Sequence, residues 1–249
     1  MMFMTDSFNI RNKKFIEKMS HDESLKKLST KWFIDANRYE YGKHFSWLGR
    51  PIIQFPHDIL AFQEIIWKIK PDLIIETGIA RGGSLIFLSS MLELIGKGIV
   101  LGIEIGLRRH NENAIKKHLM FKRIKILKGS STDPKIFHKT KQIAKNKKTI
   151  LVILDSEHTK NHVLEELNLY SQLVSKGSYI IVCDTIIHDF PKNWFYNHGI
   201  DRPWNKANNP KTAVWEFLKQ NNRFKIDKLI ENKLLVTTSP DGFLKCIKN

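Results

Sequence analysis

Short apolar runs alternate with amphipathic stretches from Pro71 onward, and this alternation constrains the fold more than any other feature of the chain. Each run is continuous in valine, isoleucine or leucine, as expected for parallel strands whose two faces are both covered. Strands that alternate with helices predict crossover units and an α/β fold with a doubly wound sheet. The predicted strands are Leu73–Glu76, Ile99–Glu104, Ile124–Leu127, Ile150–Leu154 and Tyr179–Cys183.

Helices are predicted between these strands. Aspartate or asparagine followed by proline marks a helix start, because the first side chain accepts free amide protons and proline fits the first helical position. This signal occurs at Asp133-Pro134 and at Asn209-Pro210. The predicted helices are Ser84–Ile95, Asn111–Met120, a helix that begins at Asp133, His162–Val174 and Lys211–Gln220.

The two ends of the chain depart from the alternating pattern. Phe224–Ile230, Leu234–Thr238 and Phe243–Ile247 are strand-like runs separated by turn-length gaps, which predicts an antiparallel ending to the sheet. The first 50 residues are mostly helical in pattern and rich in charge. We therefore expect a helical N-terminal appendage over residues 1–50 and a ligand-binding domain over residues 51–249, with Met1–Phe8 as an apolar segment suited to a partner chain.

Composition narrows the class of protein. The 249 residues include two cysteines, neither in a CxxC pattern, so a disulfide scaffold is excluded and a reducing compartment is expected. No run reaches the roughly 18–20 apolar residues of a membrane span. The first residues do not have the order of a secretory signal, which predicts a cytoplasmic protein. The formal net charge of +16 attracts polyanions, but lysine and arginine are scattered along the whole chain.

A strand, a glycine-rich turn and a helix start follow one another over residues 71–84 (PDLIIETGIARGGS). Ligands of open α/β sheets bind beyond such strand ends. The spacing of Gly78, Gly82 and Gly83 matches neither a dinucleotide fingerprint nor a phosphate loop. Glu76 would repel phosphates but suits a ligand with an ammonium or sulfonium group, such as S-adenosylmethionine (SAM). The alternative is a tight turn that Glu76 only caps.

Acidic residues follow three further predicted strands. Glu104 ends the second strand, where an acid can accept hydrogen bonds from ribose hydroxyls. Ser131 follows the third strand and is placed to border an adenine, although a helix cap is an equally good interpretation. Asp155 and Asp184 follow the next two strands and should converge, which either raises a pKa or binds a hard cation such as Mg²⁺.

His158 lies three residues after Asp155 and is the candidate general base, because the pKa of imidazole is near working pH. The alternative is an exposed histidine at a helix start. Residues 188–209 are rich in aromatic residues, asparagine and proline, and a long loop of this kind is typical of an acceptor lid.

With these motifs, the chain resembles a SAM-dependent class I methyltransferase, and more closely the cephalosporin hydroxylase/rhamnosyl O-methyltransferase family. The resemblance covers about residues 40–247 and is strongest over residues 45–54, 70–84, 154–163, 177–185, 209–218 and 237–244. It implies a Rossmann-like, mostly parallel sheet of seven strands with an antiparallel C-terminal pair, and SAM in the crevice with Mg²⁺ beside it.

The resemblance also implies roles for the residues already singled out. SAM would contact Glu76, Gly78, Gly82, Ser84, Glu104, Ser131 and Asp155, and the metal would contact Asp155, Asp184 and Thr185. Thr185 stands beside Asp184 where relatives often have a second carboxylate or an amide. His158 takes the position of a lysine base in catechol-type relatives.

The implied function is Mg²⁺-assisted transfer of the SAM methyl group to a hydroxyl of a sugar or natural product, with Asp155 and His158 as catalytic residues. A hydroxylase is not expected, because no 2-His-1-carboxylate pattern is evident. Two alternatives remain: a nucleic-acid methyltransferase that stacks bases on the aromatic residues of 188–209, and a catalytically silent SAM-binding module. We expect a small-molecule or glycan acceptor rather than a nucleic acid, a homo-oligomer, and at most peripheral membrane contact.

Overall fold

The computed structural model describes residues 6–248, and within them nine strands and ten α-helices are arranged around one large sheet. The first five residues of the apolar segment Met1–Phe8 lie outside the described residues. The strands are β1 Phe45–Trp47, β2 Arg50–Ile52, β3 Leu73–Thr77, β4 Ile99–Glu104, β5 Ile124–Lys128, β6 Ile150–Leu154, β7 Tyr179–Val182, β8 Phe224–Ile226 and β9 Phe243–Cys246. The helices are α1 Asp6–Ser20, α2 Glu23–Asn37, α3 Pro56–Ile69, α4 Gly83–Ile95, α5 Arg109–Lys117, α6 Pro134–Ala144, α7 Lys160–Tyr170, α8 Trp194–Asn197, α9 Pro210–Gln220 and α10 Lys228–Leu234.

The large sheet has seven strands in the order β5-β4-β3-β6-β7-β9-β8. The first five of these are parallel, and β9 pairs antiparallel with both β7 and β8. This topology confirms the predicted Rossmann-like, doubly wound, mostly parallel seven-stranded sheet with an antiparallel C-terminal pair. Because the chain reverses direction across the sheet between β5 and β6, a ligand crevice opens at the carboxyl ends of β3, β4 and β6.

The C-terminal segment corrects part of the sequence prediction. The run Phe224–Ile230 is a strand only as far as Ile226, and Leu234–Thr238 is not a strand. The helix α10 occupies residues 228–234, where leucine and isoleucine recur at helical spacing. Thr237 and Thr238 do not join the sheet ladder, because the side-chain hydroxyl of Thr237 and the backbone N–H of Thr238 both donate to the carboxylate of Asp58.

The segment before α3 contains a short hairpin that the sequence pattern did not indicate. Strands β1 and β2 pair antiparallel across a turn at Leu48 and Gly49, both of which have positive φ. Two successive residues of this conformation are typical of tight hairpin turns. The hairpin spans the expected boundary between residues 1–50 and 51–249, and that division remains a prediction.

Apolar clusters cover both faces of the sheet. Successive residues of β3 point to opposite faces, so Ile74 packs in one cluster with Phe87 of α4, and Ile75 packs in the other with Leu167 of α7. The faces are therefore covered independently, and the strand ends are left free for a site.

A third cluster connects α2 to the segment after β7. Phe33 of α2 stacks on Phe55 with ring centroids 4.4 Å apart and meets Phe190 edge to face at 6.0 Å. Phe33, Phe55 and Phe190 are all buried. The N-terminal helix α2 thus supports the beginning of the predicted acceptor lid.

Candidate active site

The turn after β3 holds two strands close together. Gly78 has φ +87°, and a Cβ at this position would lie 2.0 Å from the carbonyl oxygen of Asp155. The N–H of Gly78 donates to the carbonyl of Ile103 at 2.9 Å. Only glycine tolerates this combination of positive φ and close backbone approach. The turn therefore brings the ends of β3, β4 and β6 into contact and sets the position of Asp155.

Gly78→Ala is expected to lower the free energy of unfolding by about 4 kcal/mol or more, because a backbone collision is added to the cost of positive φ. Gly177→Ala is the matched control, since Gly177 has φ +86° but no heavy atom within 4 Å of an added Cβ. The control should lose only about 1 kcal/mol. Urea unfolding of the two variants measures the difference, and equal losses would contradict the collision.

Glu76, at the carboxyl end of β3, is a buried carboxyl group. The hydroxyl of Ser84 donates to the carboxylate, and Oε2 of Glu76 has no partner among residues 6–248. Burial raises the pKa of Glu76 to about 8, and the negative charge of Glu104 adds to this effect. An unpartnered buried oxygen beside a crevice is suited to a cationic ligand.

Gly82 is the residue before α4 and has φ +83°. A Cβ there would collide with the side chain of Ile115 at 2.4 Å. Gly82, Ser84 and Glu76 do not line the cavity that opens at the strand ends, and contact of these three with SAM remains a prediction.

A cavity of about 520 Å³ opens at the strand ends. Among the residues that line it are Gly78, Glu104, Ser131, Asp155 and His158. Five residues that the sequence singled out, from four separate segments, thus share one cavity. Its acidic lining and its place at the switch in strand order suit a cationic cofactor.

The carboxylate of Glu104 fixes the backbone of the glycine turn. Oε2 accepts from the N–H groups of Ile79 at 2.8 Å and Ala80 at 3.2 Å, and Oε1 accepts from the N–H of Gly106 at 3.0 Å. These bonds hold a negative charge at the cavity edge. Binding of ribose hydroxyls by Glu104 remains a prediction.

Beside Ser131 lies a polar network that the sequence analysis did not identify. Nε2 of His162 is 3.1 Å from Oγ of Ser131 and 3.2 Å from Oγ of Ser156. The Ser156 hydroxyl donates to the buried carboxylate of Glu166 at 2.8 Å, and a hydrogen bond to Glu166 raises the pKa of His162. The spacing of His162 and Glu166, four residues apart on α7, was the available signal.

Asp155, His158 and Asp184 form a cluster that fits a metal ion. One ligand atom from each lies within 4.8 Å of the others, and Nε2 of His158 is 3.2 Å from Oδ2 of Asp184. Oδ2 of Asp155 accepts from Nε2 of Gln54 at 3.1 Å. Burial and the nearby charge of Asp184 raise the pKa of Asp155 well above its usual range. The two carboxylates are suitable ligands for a divalent cation such as Mg²⁺, which would relieve this repulsion, and the imidazole lies beside them.

Thr185 follows Asp184 in the chain. Its buried hydroxyl donates to the carbonyl of Pro240 at 2.6 Å, and contact of Thr185 with a metal remains a prediction. The next N–H, that of Ile186, donates to the carbonyl of Thr238. The loop that carries Asp184 is thus held by residues 238–240, and these are held in turn by Asp58.

Residues 188–209 fold over the cluster and enclose a second cavity of about 590 Å³. Trp204 and Arg202 line both this cavity and the one at the strand ends. The ring of Trp204 meets His158 at 5.4 Å and Phe195 at 5.5 Å between centroids. The predicted lid therefore forms a wall between two compartments, with His158 at the wall.

A mostly parallel seven-stranded sheet with an antiparallel last pair, a glycine turn and an acidic crevice defines a protein of the class I methyltransferase type. The family model described as rhamnosyl O-methyltransferase/CmcI matches residues 39–247. The chain belongs to this family, which confirms the resemblance and the class of enzyme that the sequence predicts.

Individual relatives agree with this assignment. A rhamnosyl O-methyltransferase of Mycobacterium tuberculosis (strain ATCC 25618 / H37Rv) is 31% identical over 192 residues, which are 75% of this chain and 72% of the relative. An apo structure of CmcI has a TM-score of 0.58 at 18% identity, covering 83% of this chain and 78% of the other. A Mg–SAM structure of CmcI has a TM-score of 0.56 at 17% identity with the same coverage. Both structures share the fold.

The helices within residues 6–248 include none that is long and apolar enough to cross a membrane.

Proposed function

We propose that the protein is a SAM-dependent, Mg²⁺-assisted O-methyltransferase that methylates a hydroxyl group of a sugar or natural product. The observation that carries the proposal is the cluster of Asp155, His158 and Asp184. Asp155 and His158 line the cavity at the strand ends, and His158 packs on Trp204, which lines both cavities. A cofactor in one cavity and an acceptor in the other would meet beside His158. The names of the family and of its mycobacterial members support a sugar acceptor.

The cavity at the strand ends is suited to SAM. Glu104, Asp155 and Glu157 line it, so carboxyl groups face the place where a sulfonium and an ammonium group would bind. A bound cation would favour the ionised forms of Asp155 and of the buried Glu76. The two buried free cysteines agree with a reducing, cytoplasmic setting.

His158 is placed to act as the base. With its Nε2–H directed at Oδ2 of Asp184, Nδ1 remains the proton acceptor, and Asp184 stabilises the imidazolium that forms. Asp155 and Asp184 would hold the metal, which supplies positive charge that favours the ionised form of the acceptor hydroxyl. SAM, when bound, would supply the methyl group and leave as S-adenosylhomocysteine, while His158 would take the proton of the acceptor hydroxyl.

Binding and transfer can be tested separately. Titration calorimetry of metal-free protein should detect SAM and S-adenosylhomocysteine, and Mg²⁺ should increase the rate of S-adenosylhomocysteine release with rhamnosides or natural-product glycosides as acceptors. Absence of SAM binding, with and without Mg²⁺, would overturn the proposal.

The aromatic residues of the lid argue against a nucleic-acid methyltransferase. Trp194 is buried and stacks on His198 at 4.1 Å, and Trp204 packs on His158. Among the aromatic residues of 188–209, Tyr196 is the one whose side chain is largely exposed, with 85% of the residue accessible to solvent. One exposed ring does not form a path for stacked bases.

A further inference from the structure

The cavity under the lid differs in charge from the cavity at the strand ends. It is lined by Lys192, Arg202 and Lys206, and Asp201 is the one acidic residue among its lining residues. The neighbouring cavity shares Arg202 but is also lined by three acidic residues, Glu104, Asp155 and Glu157. Two adjoining compartments of opposite charge select ligands of opposite charge.

The three cations are available to a ligand. Within residues 6–248, the side chains of Lys192, Arg202 and Lys206 have no carboxylate within 4.0 Å, and the Arg202 guanidinium lies over the Trp204 ring at 5.7 Å. In contrast, the buried Lys211 at the base of the lid is neutralised by Asp189 at 2.5 Å. The positive charge at the cavity is therefore not compensated by carboxylates, unlike that of the buried Lys211 nearby.

Asparagine side chains hold the cationic part of the lid in place. Nδ2 of Asn209 donates to the carbonyl of Asn205 at 2.7 Å and to that of Lys206 at 3.1 Å. Oδ1 of Asn205 accepts from the N–H of Asn208 at 3.0 Å, and Oδ1 of Asn208 accepts from the N–H of Lys160 at 2.8 Å. The backbone around Lys206 is thus tied to α7 and α9, and an ordered lid reduces the entropic cost of binding a ligand.

From this charge pattern and this ordered lid, and resting on the proposed function, we propose that the acceptor is an anionic sugar. Its ring would lie against the aromatic wall of the cavity at Trp204, and its phosphate or carboxylate would be bound by Lys192, Arg202 and Lys206. Guanidinium and ammonium groups form strong charge-assisted hydrogen bonds with such anions. The opposite charge of the neighbouring cavity would keep the acceptor anion out of the cofactor site.

The test compares two charge-matched double variants. Lys192→Gln/Lys206→Gln removes two charges from the cavity. Lys139→Gln/Lys219→Gln removes two charges from exposed lysines on α6 and α9, so the net charge of both proteins is the same. The probes are L-rhamnose 1-phosphate, methyl L-rhamnoside as the neutral counterpart, and a methyl glucuronide as the carboxylate.

Calorimetry should show that rhamnose 1-phosphate binds about tenfold more weakly to the cavity variant than to the control variant. Methyl rhamnoside should bind both alike, and the glucuronide shows whether a carboxylate replaces the phosphate. Equal phosphate affinity in the two variants, or equal affinity of the normal protein for the phosphate and the neutral probe, would overturn the inference. The binding measurement does not require methyl transfer, so the two proposals can fail separately. If only the proposed function is wrong, the cavity variant still binds rhamnose 1-phosphate more weakly than the control variant, but no S-adenosylhomocysteine is released.

Discussion

Asp155→Asn is expected to lower the rate of methyl transfer by about a hundredfold to a thousandfold. Asparagine keeps the shape of the side chain but removes one of the two carboxylate charges of the cluster and places an amide where Gln54 now donates to Oδ2. Loss of one metal ligand removes the charge stabilisation that the cluster would supply to the ionised acceptor. The measurement is the rate of S-adenosylhomocysteine release across a Mg²⁺ titration.

The control for this variant is Asp22→Asn. Asp22 caps α2 by accepting from the N–H of Leu25 at 2.9 Å, and asparagine serves equally well as a cap. The control therefore loses one surface charge without loss of activity or stability. If Asp155→Asn retains the normal rate and the normal response to Mg²⁺, the cluster is not the metal site of the reaction.

Elements formed by interactions between residues close in sequence could be predicted, and elements that depend on residues distant in sequence could not. The strands β3, β4, β6 and β7 follow from local runs of buried aliphatic residues. Leu234–Thr238 has the same local pattern, but its outcome depended on Asp58, which lies about 180 residues away in sequence and takes the hydrogen bonds of Thr237 and Thr238. The hairpin of β1 and β2 was missed because each strand has only three residues.

The same distinction holds for the site. Asp155 and Asp184 were found because parallel strands end at one edge of the sheet, so topology alone predicted that they converge. The orientation of single groups could not be read in this way. The hydroxyl of Thr185 turns to Pro240, and Glu104 braces the turn through backbone N–H groups. Each of these contacts depends on the conformation of a loop, and loops have no periodic sequence pattern from which their conformation could be predicted.

Glu76 makes the stability of the SAM-free protein depend on pH. Its pKa is about 8 in the folded protein and 4.5 ordinarily, so the folded state holds a proton that the unfolded state has released between these values. The stabilisation is complete below pH 4.5 and is lost as pH rises to 8. Asp58 acts in the same direction, but its folded pKa is about 6, so its contribution changes mainly below the range of pH 6 to 8.

Glu76→Gln should therefore abolish a loss of about 2 kcal/mol in the free energy of unfolding that the normal protein shows between pH 6 and pH 8. Glutamine keeps the size of the side chain, cannot ionise, and escapes the repulsion that Glu104 and Asp155 exert on a charged Glu76. Urea unfolding at pH 6, 7 and 8 measures the effect, with the exposed Glu17→Gln on α1 as the control. Histidines titrate in all three proteins, so the difference between the curves reports the titration of Glu76 together with its effect on Asp155. Parallel curves for the normal protein and Glu76→Gln would show that Glu76 is already ionised at pH 6.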